Sequence, residues 1–254
     1  MRIALLSDVH GNLPALEAVL AGIDGDGCQA IYHLGDLVGY APWPNEVVTG
    51  LRERGIAGVA GNYDSTVATG YDHCGCQYED PRQSELSHLS YAWTLEHTSA
   101  ETRAWLAALP FRLDLRPLGG HLAGPTLRLI HGNPVLNTVY WTEDRSADFC
   151  GKMAERMGAR PGDVVAFGHT HKPWSRELDG VLFVNTGSVG RPKDGNWRAG
   201  YVVLTLGEGE GEVEVDFRRV DYDVDRAAQA IRESTLPDDF ATYLRTGGRL
   251  DADG

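Results

Sequence analysis

The sequence predicts an α/β protein whose strands are mostly parallel in the first half and antiparallel near the end. Two strand–helix units and a third strand follow one another within residues 1–64, the pattern of parallel strands with right-handed crossovers. After residue 173, short turns such as Asp179-Gly180 separate the strands, which is typical of antiparallel pairing. A length of 254 residues is enough for one large domain with a buried core.

The first half alternates apolar strands with amphipathic helices. Pro14 is expected to open the first helix, because its fixed φ suits a first helical turn, and apolar residues then recur every three or four positions. The predicted elements up to residue 60 are, in order, strand Arg2–Ser7, helix Pro14–Ile23, strand Ala30–Leu34, a helix from about Asn45 to Arg54, and strand Ile56–Ala60.

The rest of the chain is expected to complete the same domain. Residues 65–81 are polar and have no period, which indicates a surface loop. The later elements are predicted as helices near 84–97, 101–109 and 144–157, strands at 127–130 and 164–167, four further strands at 174–178, 181–185, 201–206 and 212–217, and helical structure over 223–246. One domain is therefore expected over residues 1–246, with a disordered tail at 247–254.

Composition and charge exclude several classes of protein. A formal net charge of −13 argues against a nucleic-acid or anionic-membrane surface, because such surfaces need clustered lysine and arginine. No stretch approaches the ~20 apolar residues of a membrane span, and the apolar run before Asp8 is too short for a signal peptide. We therefore expect a cytoplasmic protein that does not bind membranes, whose oligomeric state the sequence leaves open.

Five of the predicted apolar strands end at residues that can bind a metal ion. These residues are Asp8 with His10, Asp36, Asn62, His131, and His169 with His171. Each motif alone is weak, since Asp-x-His and Gly-Asp occur by chance in many proteins. In open α/β sheets, however, ligands bind outside the carboxyl ends of strands, so separate strands can deliver these side chains to one place. Paired imidazoles favour a borderline transition metal over calcium or magnesium.

At these positions the sequence resembles the calcineurin-like metallophosphoesterases, most closely the small bacterial and archaeal phosphoesterases. The motif order of that family is matched by Asp8-Val9-His10, Gly35-Asp36, Gly61-Asn62-Tyr63-Asp64, His131 and Gly168-His169-Thr170-His171. The resemblance covers residues 1 to about 205. It implies an α/β fold built as a four-layer α/β/β/α sandwich, in which two mixed sheets face each other and helices cover both outer faces.

The resemblance also implies a centre of two divalent ions. One ion would be held by Asp8, His10, Asp36 and His171, and the other by Asp36, Asn62, His131 and His169. Asp36 would then bridge two ions about 3.5–4 Å apart through its two carboxylate oxygens. Manganese (Mn2+) is the expected metal, and iron, nickel or zinc are the alternatives.

The activity that the resemblance implies is hydrolysis of a small phosphate ester, as a phosphodiesterase or phosphatase, by a hydroxide that bridges the ions. Asp36 and Asn62 would be catalytic residues through the ions that they hold. Hydrolysis of phosphoproteins or of diadenosine polyphosphates is an alternative. A non-catalytic interaction scaffold is an alternative from another class, since this fold also serves that role when its metal ligands are replaced. No ligand position is replaced in this chain.

Four residues beside the motifs are candidates for contact with the substrate. Tyr63 stands where most of the family has histidine, so it would donate a hydrogen bond or a proton to the leaving oxygen, or only pack the loop. Asn12 would contact phosphate or cap the first helix. Arg191 and Lys193 would steer an anionic substrate or lie in a solvated loop.

The remaining histidines and the cysteines carry weaker signals. Five histidines match no motif and are expected to be ordinary: His33, His73, His88, His97 and His121. The cysteines, Cys28, Cys74, Cys76 and Cys150, lack the CxxC spacing of a structural zinc site, and a bridge across one residue is awkward, so reduced thiols are expected. The segment 65–82 follows Asn62 directly and is expected to shape the rim of the site.

Overall fold

The computed structural model describes residues 1–76, 78, 80–116, 125–207 and 212–249. Within these ranges, no helix is both long enough and apolar enough to span a bilayer. The predicted tail at 250–254 and His121 lie outside the described residues. Residues 247–249 of that tail are ordered by contacts, since the Gly195 N–H donates to the Gly247 carbonyl and the Gly248 N–H donates to the Tyr243 carbonyl.

The described residues form two five-stranded sheets and the helices that cover them. The strands are β1 (Arg2–Leu6), β2 (Ala30–His33), β3 (Ala57–Gly58), β4 (Arg112–Leu115), β5 (Leu127–Ile130), β6 (Val164–Phe167), β7 (Trp174–Leu178), β8 (Val181–Asn185), β9 (Ala199–Leu206) and β10 (Val213–Val220). The helices are α1 (Leu13–Asp26), α2 (Pro44–Glu53), α3 (Asn62–Thr69), α4 (Pro81–His97), α5 (Ala100–Ala107), α6 (Ala147–Met157), α7 (Val224–Glu233) and α8 (Asp239–Thr246).

Both sheets are mixed, and each contains three adjacent parallel strands together with two antiparallel strands. The first sheet has the order β10-β9-β1-β2-β3, in which β1, β2 and β3 are parallel. The second has the order β4-β5-β6-β8-β7, in which β5, β6 and β8 are parallel. The predicted change from parallel to antiparallel pairing is confirmed, because β7 pairs with β8 and β9 with β10 in antiparallel register.

Three clusters of buried side chains pack between the layers. Between the sheets, Ile3 and Leu5 of β1 pack with Leu129 of β5 and Ala166 of β6. On the outer face of the first sheet, Leu6 and its neighbours pack against α1, α2, α7 and α8. On the outer face of the second, the neighbours of Phe167 pack against α6. The α/β/β/α sandwich is therefore confirmed, and its two parallel strand groups meet at one end.

Several element boundaries differ from the predicted ones. Helix α3 occupies residues that the sequence predicts as loop, because Asp64 caps its first turn by accepting from the Gly61 N–H at 2.9 Å. Strand β4 was not predicted, since its alternating Arg-Leu-Asp-Leu sequence is short and charged. The helical region after residue 223 is two helices, with Pro237 in the break between α7 and α8.

Candidate metal centre

The loops that follow β1, β2, β5 and β6 are tied to one another by backbone hydrogen bonds. The Asp8 N–H donates to the Gly35 carbonyl at 2.9 Å, and the His10 N–H donates to the Asp36 carbonyl at 3.0 Å. Across the sheets, the His169 N–H donates to Asp8 Oδ2 at 2.9 Å. These bonds bring the ends of strands from both sheets to one place, as the positions of the motifs predict.

The backbone itself is strained where the candidate ligands lie. Non-glycine residues with left-handed φ angles are uncommon, and they persist where the surrounding structure forces them, often at functional sites. Five of the candidate ligands have such angles: Asp8 (54°), His10 (50°), Asp36 (52°), His169 (67°) and His171 (60°). All five side chains belong to the two groups of buried donor atoms described below.

Gly168 is required for close approach rather than for a turn. Its φ is not left-handed, and the two histidines that follow, His169 and His171, take left-handed angles instead. A Cβ at position 168 would lie 2.1 Å from Ser7 Oγ and 2.4 Å from Asp8 Oδ2. Only a residue without a side chain leaves room for the Asp8 carboxylate here.

Asp8, His10 and His171 form the first group of donor atoms, and all three are buried. His171 Nε2 lies 3.2 Å from Asp8 Oδ1 and 3.1 Å from His10 Nε2. The Nδ1–H groups of His10 and His171 donate to the carbonyls of Val38 and Arg191, at 3.1 and 2.5 Å. These donations leave the Nε2 lone pairs directed at each other and at Asp8.

Asp36, His131 and His169 form the second buried group, and Asn62 joins it. His131 Nε2 lies 3.2 Å from His169 Nδ1, 3.2 Å from Asn62 Oδ1 and 3.4 Å from Asp36 Oδ2. His131 Nδ1–H donates to the Leu34 carbonyl at 2.7 Å, so its Nε2 faces the other donor atoms. Asn62 turns its oxygen inward because its Nδ2 donates to the Cys74 carbonyl at 3.0 Å.

Asp36 lies between the two groups, and only one of its carboxylate oxygens faces both of them. Its Oδ2 is 3.4 Å from His131 Nε2 in the second group and 3.8 Å from His10 Nε2 in the first. Its Oδ1 instead accepts from the Tyr63 N–H at 2.9 Å. The expected bridging position is present, and a single carboxylate oxygen, rather than both, is available to two ions.

The charges of the buried side chains also point to cations. Burial, followed by the charge of His171, lowers the pKa of His10 to about 3, and burial and His131 lower that of His169 to about 3, so both imidazoles are neutral. At His131, burial also disfavours the charged form, but the carboxylate of Asp36 outweighs it and raises the pKa to about 9. The proton on His131 Nε2 thus lies near Asn62 Oδ1, His169 Nδ1 and Asp36 Oδ2. A divalent ion in its place would bind all of these atoms.

The donor set fits two divalent ions. Asp8 Oδ1 and His169 Nε2 are buried and have no hydrogen-bond partner among the described residues. Two imidazole lone pairs 3.1 Å apart, as at His10 and His171, repel each other unless a cation or proton lies between them. Mixed nitrogen and oxygen donors are those of a borderline transition metal. Asp8, His10 and His171 would hold one ion, Asn62, His131 and His169 the other, and Asp36 both.

Tyr63 packs against the centre but does not aim its hydroxyl at it. Its ring lies 5.6 Å from the His10 ring, edge to face, and its hydroxyl donates to Ser90 Oγ at 3.4 Å and to the Ser87 carbonyl at 3.5 Å. Burial raises the pKa of Tyr63 well above its usual value. The position of the hydroxyl therefore favours packing, the second role considered from the sequence, and the backbone N–H of Tyr63 donates to Asp36. Tyr63 also lines the pocket over the ligands, so its role as a proton donor stays a prediction.

We expect Tyr63→Phe to keep the activity, because the lost hydroxyl contacts α4 rather than the pocket. A positioned general acid contributes roughly 10²–10⁴ in rate, so a change in kcat/KM far below that range is expected. The measurement is kcat/KM against leaving-group pKa for a series of aryl and alkyl phosphates. Lines of equal slope for the two proteins are expected, whereas a steeper line for Tyr63→Phe would support the proton-donor role.

Asn12 is a helix cap rather than a phosphate ligand. Its Oδ1 accepts from the Ala15 N–H at 3.3 Å at the start of α1. Its Nδ2 donates to the Gly190 carbonyl at 2.9 Å and to the Tyr222 hydroxyl at 3.3 Å. The side chain is fully buried, so no donor is left for a substrate. The phosphate contact considered from the sequence is therefore wrong.

Arg191 and Lys193 are close to the centre and are not in a solvated loop. Arg191 is buried, its guanidinium lies 3.9 Å from the centre of the Tyr40 ring, and its Nε and Nη1 have no hydrogen-bond partner among the described residues. Lys193 lines the pocket over the metal ligands, and burial, followed by the charge of Arg191, lowers its pKa to about 7. Lys193 is thus placed beside an anion that reaches the centre, whereas Arg191 lines the adjoining cavity with His10 and Tyr40.

Sequence reasoning missed the tyrosines that surround this pocket. The Tyr40 hydroxyl lies 3.0 Å from the Tyr78 hydroxyl, and the Tyr140 ring stacks on His169 with centroids 4.5 Å apart. Together with Cys76, they enclose a pocket of about 200 Å³ over the ligands. Single aromatic residues in aperiodic loops give no signal of their own. Cys76 and Tyr78 belong to the segment 65–82, whose predicted place at the rim agrees with these contacts.

Four histidines that match no motif lie outside both donor groups. His33 is buried against Trp105, and His97 stacks on Trp93 at 3.8 Å. His73 accepts from the Gly75 N–H at 2.9 Å, and His88 lines a cavity with Cys74. All four cysteines are free, as expected. Within the Cys74–Cys76 pair, the Cys76 thiol donates to Cys74 and lowers the pKa of Cys74 to about 6.

Comparison with known proteins agrees with this geometry. Phosphodiesterase YfcE of Escherichia coli K12 is 27% identical over 206 residues, which cover 77% of this chain and 83% of that protein. The structure of a metallophosphoesterase from Sphaerobacter thermophilus is 29% identical and superposes with a TM-score of 0.73, covering 97% of this chain and all of the other. The protein PH1004 of Pyrococcus horikoshii OT3, 21% identical, shares the fold with a TM-score of 0.80 and coverage of 98% and 99%.

The family assignment comes from the chain as a whole. Residues 1–209 match the profile of the calcineurin-like phosphoesterase superfamily domain. This range contains every candidate ligand from Asp8 to His171, the parallel strands that carry them, and all of β9 and the loop before it. The chain belongs to the calcineurin-like phosphoesterase superfamily and is a hydrolase of phosphoester bonds.

Proposed function

We propose that the protein hydrolyses small phosphate esters with two divalent ions, for which manganese is the first candidate. The observation that carries the proposal is the pair of buried donor groups on either side of Asp36 Oδ2. Both groups open into the pocket that Lys193 lines. Such a pair of ions supplies a nucleophile at neutral pH and neutralises the charge on a transferring phosphoryl group.

The residues of this chain have distinct parts in that reaction. Asp36 would set the separation of the ions, because its Oδ1 is held by the Tyr63 N–H while Oδ2 faces both groups. With the ions bound, the histidines would act as neutral ligands, since their Nδ1–H groups at positions 10, 131 and 171 donate to backbone carbonyls. Lys193 would hold a non-reacting oxygen of the phosphoryl group, and Arg191 would add positive charge beside His10 and Tyr40.

The charge of the centre favours anionic substrates despite the acidic protein. Two divalent ions add +4 and the carboxylates of Asp8 and Asp36 add −2, which leaves +2 before Arg191 is counted. The pocket over the ligands contains side chains of both donor groups and Lys193, so we expect a phosphoryl group to bind there. Small monoesters and diesters are the leading substrates, and diadenosine polyphosphates and phosphoproteins are the alternatives.

Phosphodiester hydrolysis is the second form of the same proposal. It is supported by the likeness to a relative named phosphodiesterase YfcE. A diester has one negative charge fewer than a monoester dianion, and Arg191 with Lys193 adds positive charge beside the centre. We therefore expect this chain to prefer monoesters when the leaving groups are the same.

The experiment is a substrate panel run on metal-stripped protein that is reconstituted with one ion at a time. The panel contains p-nitrophenyl phosphate, bis-p-nitrophenyl phosphate, a phosphopeptide and diadenosine tetraphosphate, and the ions are manganese, iron, nickel and zinc. We expect no turnover without metal, the highest kcat/KM for p-nitrophenyl phosphate with manganese, and slow cleavage of the two large substrates. A reconstituted protein that binds metal but cleaves none of the four would support the interaction scaffold instead.

A further inference from the structure

Cys74 and Cys76 lie beside the metal centre without being part of either donor group. We propose that they form a redox modification site, at which a hydroperoxide oxidises the two thiols to a disulfide and the disulfide weakens binding of the ion that Asn62 holds. The disulfide itself is independent of the proposed function. Its effect on metal binding rests on the place of Asn62 in the proposed centre.

The local backbone brings the two sulfur atoms together. Gly75 between them has a φ of +77°, and the Cys76 N–H donates to Cys74 Sγ at 3.4 Å. Residues separated by one position have Cα atoms at most about 7 Å apart, and a turn at the middle residue shortens this distance. Disulfides form at Cα separations of about 4.4–6.8 Å, so the turn at Gly75 brings the pair toward that range.

A cavity beside the centre offers a small oxidant a path to these thiols. Cys74 and Cys76 line it together with Tyr78, His88 and Tyr91, and Cys76 is partly exposed whereas Cys74 is buried. Cys76 also lines the pocket over the metal ligands, so it separates the cavity from the centre. Both cysteines are free in the structure.

The same two residues set the orientation of the Asn62 amide. Asn62 Nδ2 donates to the Cys74 carbonyl at 3.0 Å and to Cys76 Sγ at 3.2 Å, which leaves Oδ1 facing His131 Nε2 at 3.2 Å. A disulfide turns Cys76 Sγ toward Cys74 and away from this amide. Losing a partner that orients a metal ligand typically weakens metal binding roughly 10–100-fold, which is the expected effect on this ion.

The oxidation balances with hydrogen peroxide as the oxidant. The Cys74 thiolate attacks one peroxide oxygen, the O–O bond breaks, and the departing hydroxide takes a proton to become water. The Cys76 sulfur then displaces the hydroxyl of the Cys74 sulfenic acid, which leaves as a second water. Two thiols have lost two electrons and the peroxide has gained them. A bridge across one residue is strained and therefore easily reduced by thiols, so the modification is reversible.

The experiment treats zinc-loaded protein with hydrogen peroxide, since zinc has no redox chemistry of its own. Catalase then removes the peroxide, N-ethylmaleimide labels free thiols after denaturation, and peptide masses are measured. We expect the peptide with positions 74 and 76 to be unlabelled and lighter by two hydrogen atoms. Cys28 and Cys150 should remain labelled, and dithiothreitol should restore labelling at 74 and 76. Labelling of both residues after treatment would overturn the proposal.

Zinc content after dialysis tests the link to Asn62. Oxidised wild-type protein should lose zinc from one of its two sites and regain it after reduction, and Cys28→Ser should behave in the same way as a matched control. Cys74→Ser should keep its zinc after peroxide, and equal loss from that variant would overturn the link. Untreated protein that binds no zinc would overturn the proposed centre, whereas a disulfide in that protein would still support the modification site.

Discussion

Asp36→Asn is expected to abolish phosphoester hydrolysis and to loosen both ions. The carboxylate oxygen Oδ2 lies 3.8 Å from His10 Nε2 in the first donor group and 3.4 Å from His131 Nε2 in the second. An amide offers the two ions no negative charge, and its NH₂ group would face them if its oxygen kept the Tyr63 N–H. We expect kcat/KM to fall by at least about 10²–10³-fold, the loss that follows removal of one group that stabilises transition-state charge.

The measurement combines kcat/KM for p-nitrophenyl phosphate with elemental analysis of the dialysed protein. Asp163→Asn is the matched control, because Asp163 is a buried carboxylate that pairs with Arg128 at 2.9 Å. Asp163 precedes β6 and His169 follows it, so the two residues lie at opposite ends of that strand. The control should lose stability but keep both ions. Asp36→Asn that retains two ions and wild-type activity would contradict the bridging role.

Single histidine variants should remove one ion and leave the other. His171 belongs to the first donor group and His131 to the second, and the two rings have different backbone anchors. His171→Ala should lose the ion near Asp8, and His131→Ala should lose the ion near Asn62. Each variant should retain about one ion per chain and lose most activity, because an in-line displacement uses both ions.

Titration of metal-stripped protein with manganese, followed by calorimetry, measures this selectivity. Wild-type protein should show two binding events and each variant one. His97→Ala is the control, since its ring stacks on Trp93 outside both groups. Complete loss of both events from either variant, with the fold intact by circular dichroism, would show that the assignment of ligands to separate ions is wrong.

The convergence of the candidate ligands could be predicted from the sequence because these residues follow recognisable strands. Hydrophobic runs such as Val164–Phe167 end in residues with metal-binding side chains, and parallel strands bring their carboxyl ends to one edge. Helix α1 was also readable, from Pro14 and from the apolar spacing of its buried face. These signals are local in the chain, so no tertiary information was needed.

The roles of residues near the ligands could not be predicted, since they depend on contacts distant in the sequence. The Asn12 amide donates to the Gly190 carbonyl and the Tyr222 hydroxyl, and the Tyr63 hydroxyl donates to Ser90. The residue type alone is compatible with catalysis or with packing at either position. Helix α3 was missed for a similar reason, because Asp64 caps it while also accepting from the Leu37 N–H of another loop.

The most direct test of the two-ion centre is an anomalous difference map from crystals of the protein grown with manganese. We expect two peaks about 3.5–4 Å apart if the centre holds two ions. One should lie among Asp8, His10 and His171, the other among Asn62, His131 and His169, with Asp36 Oδ2 in contact with both. A single peak, or a second peak away from these side chains, would contradict the proposed two-ion centre.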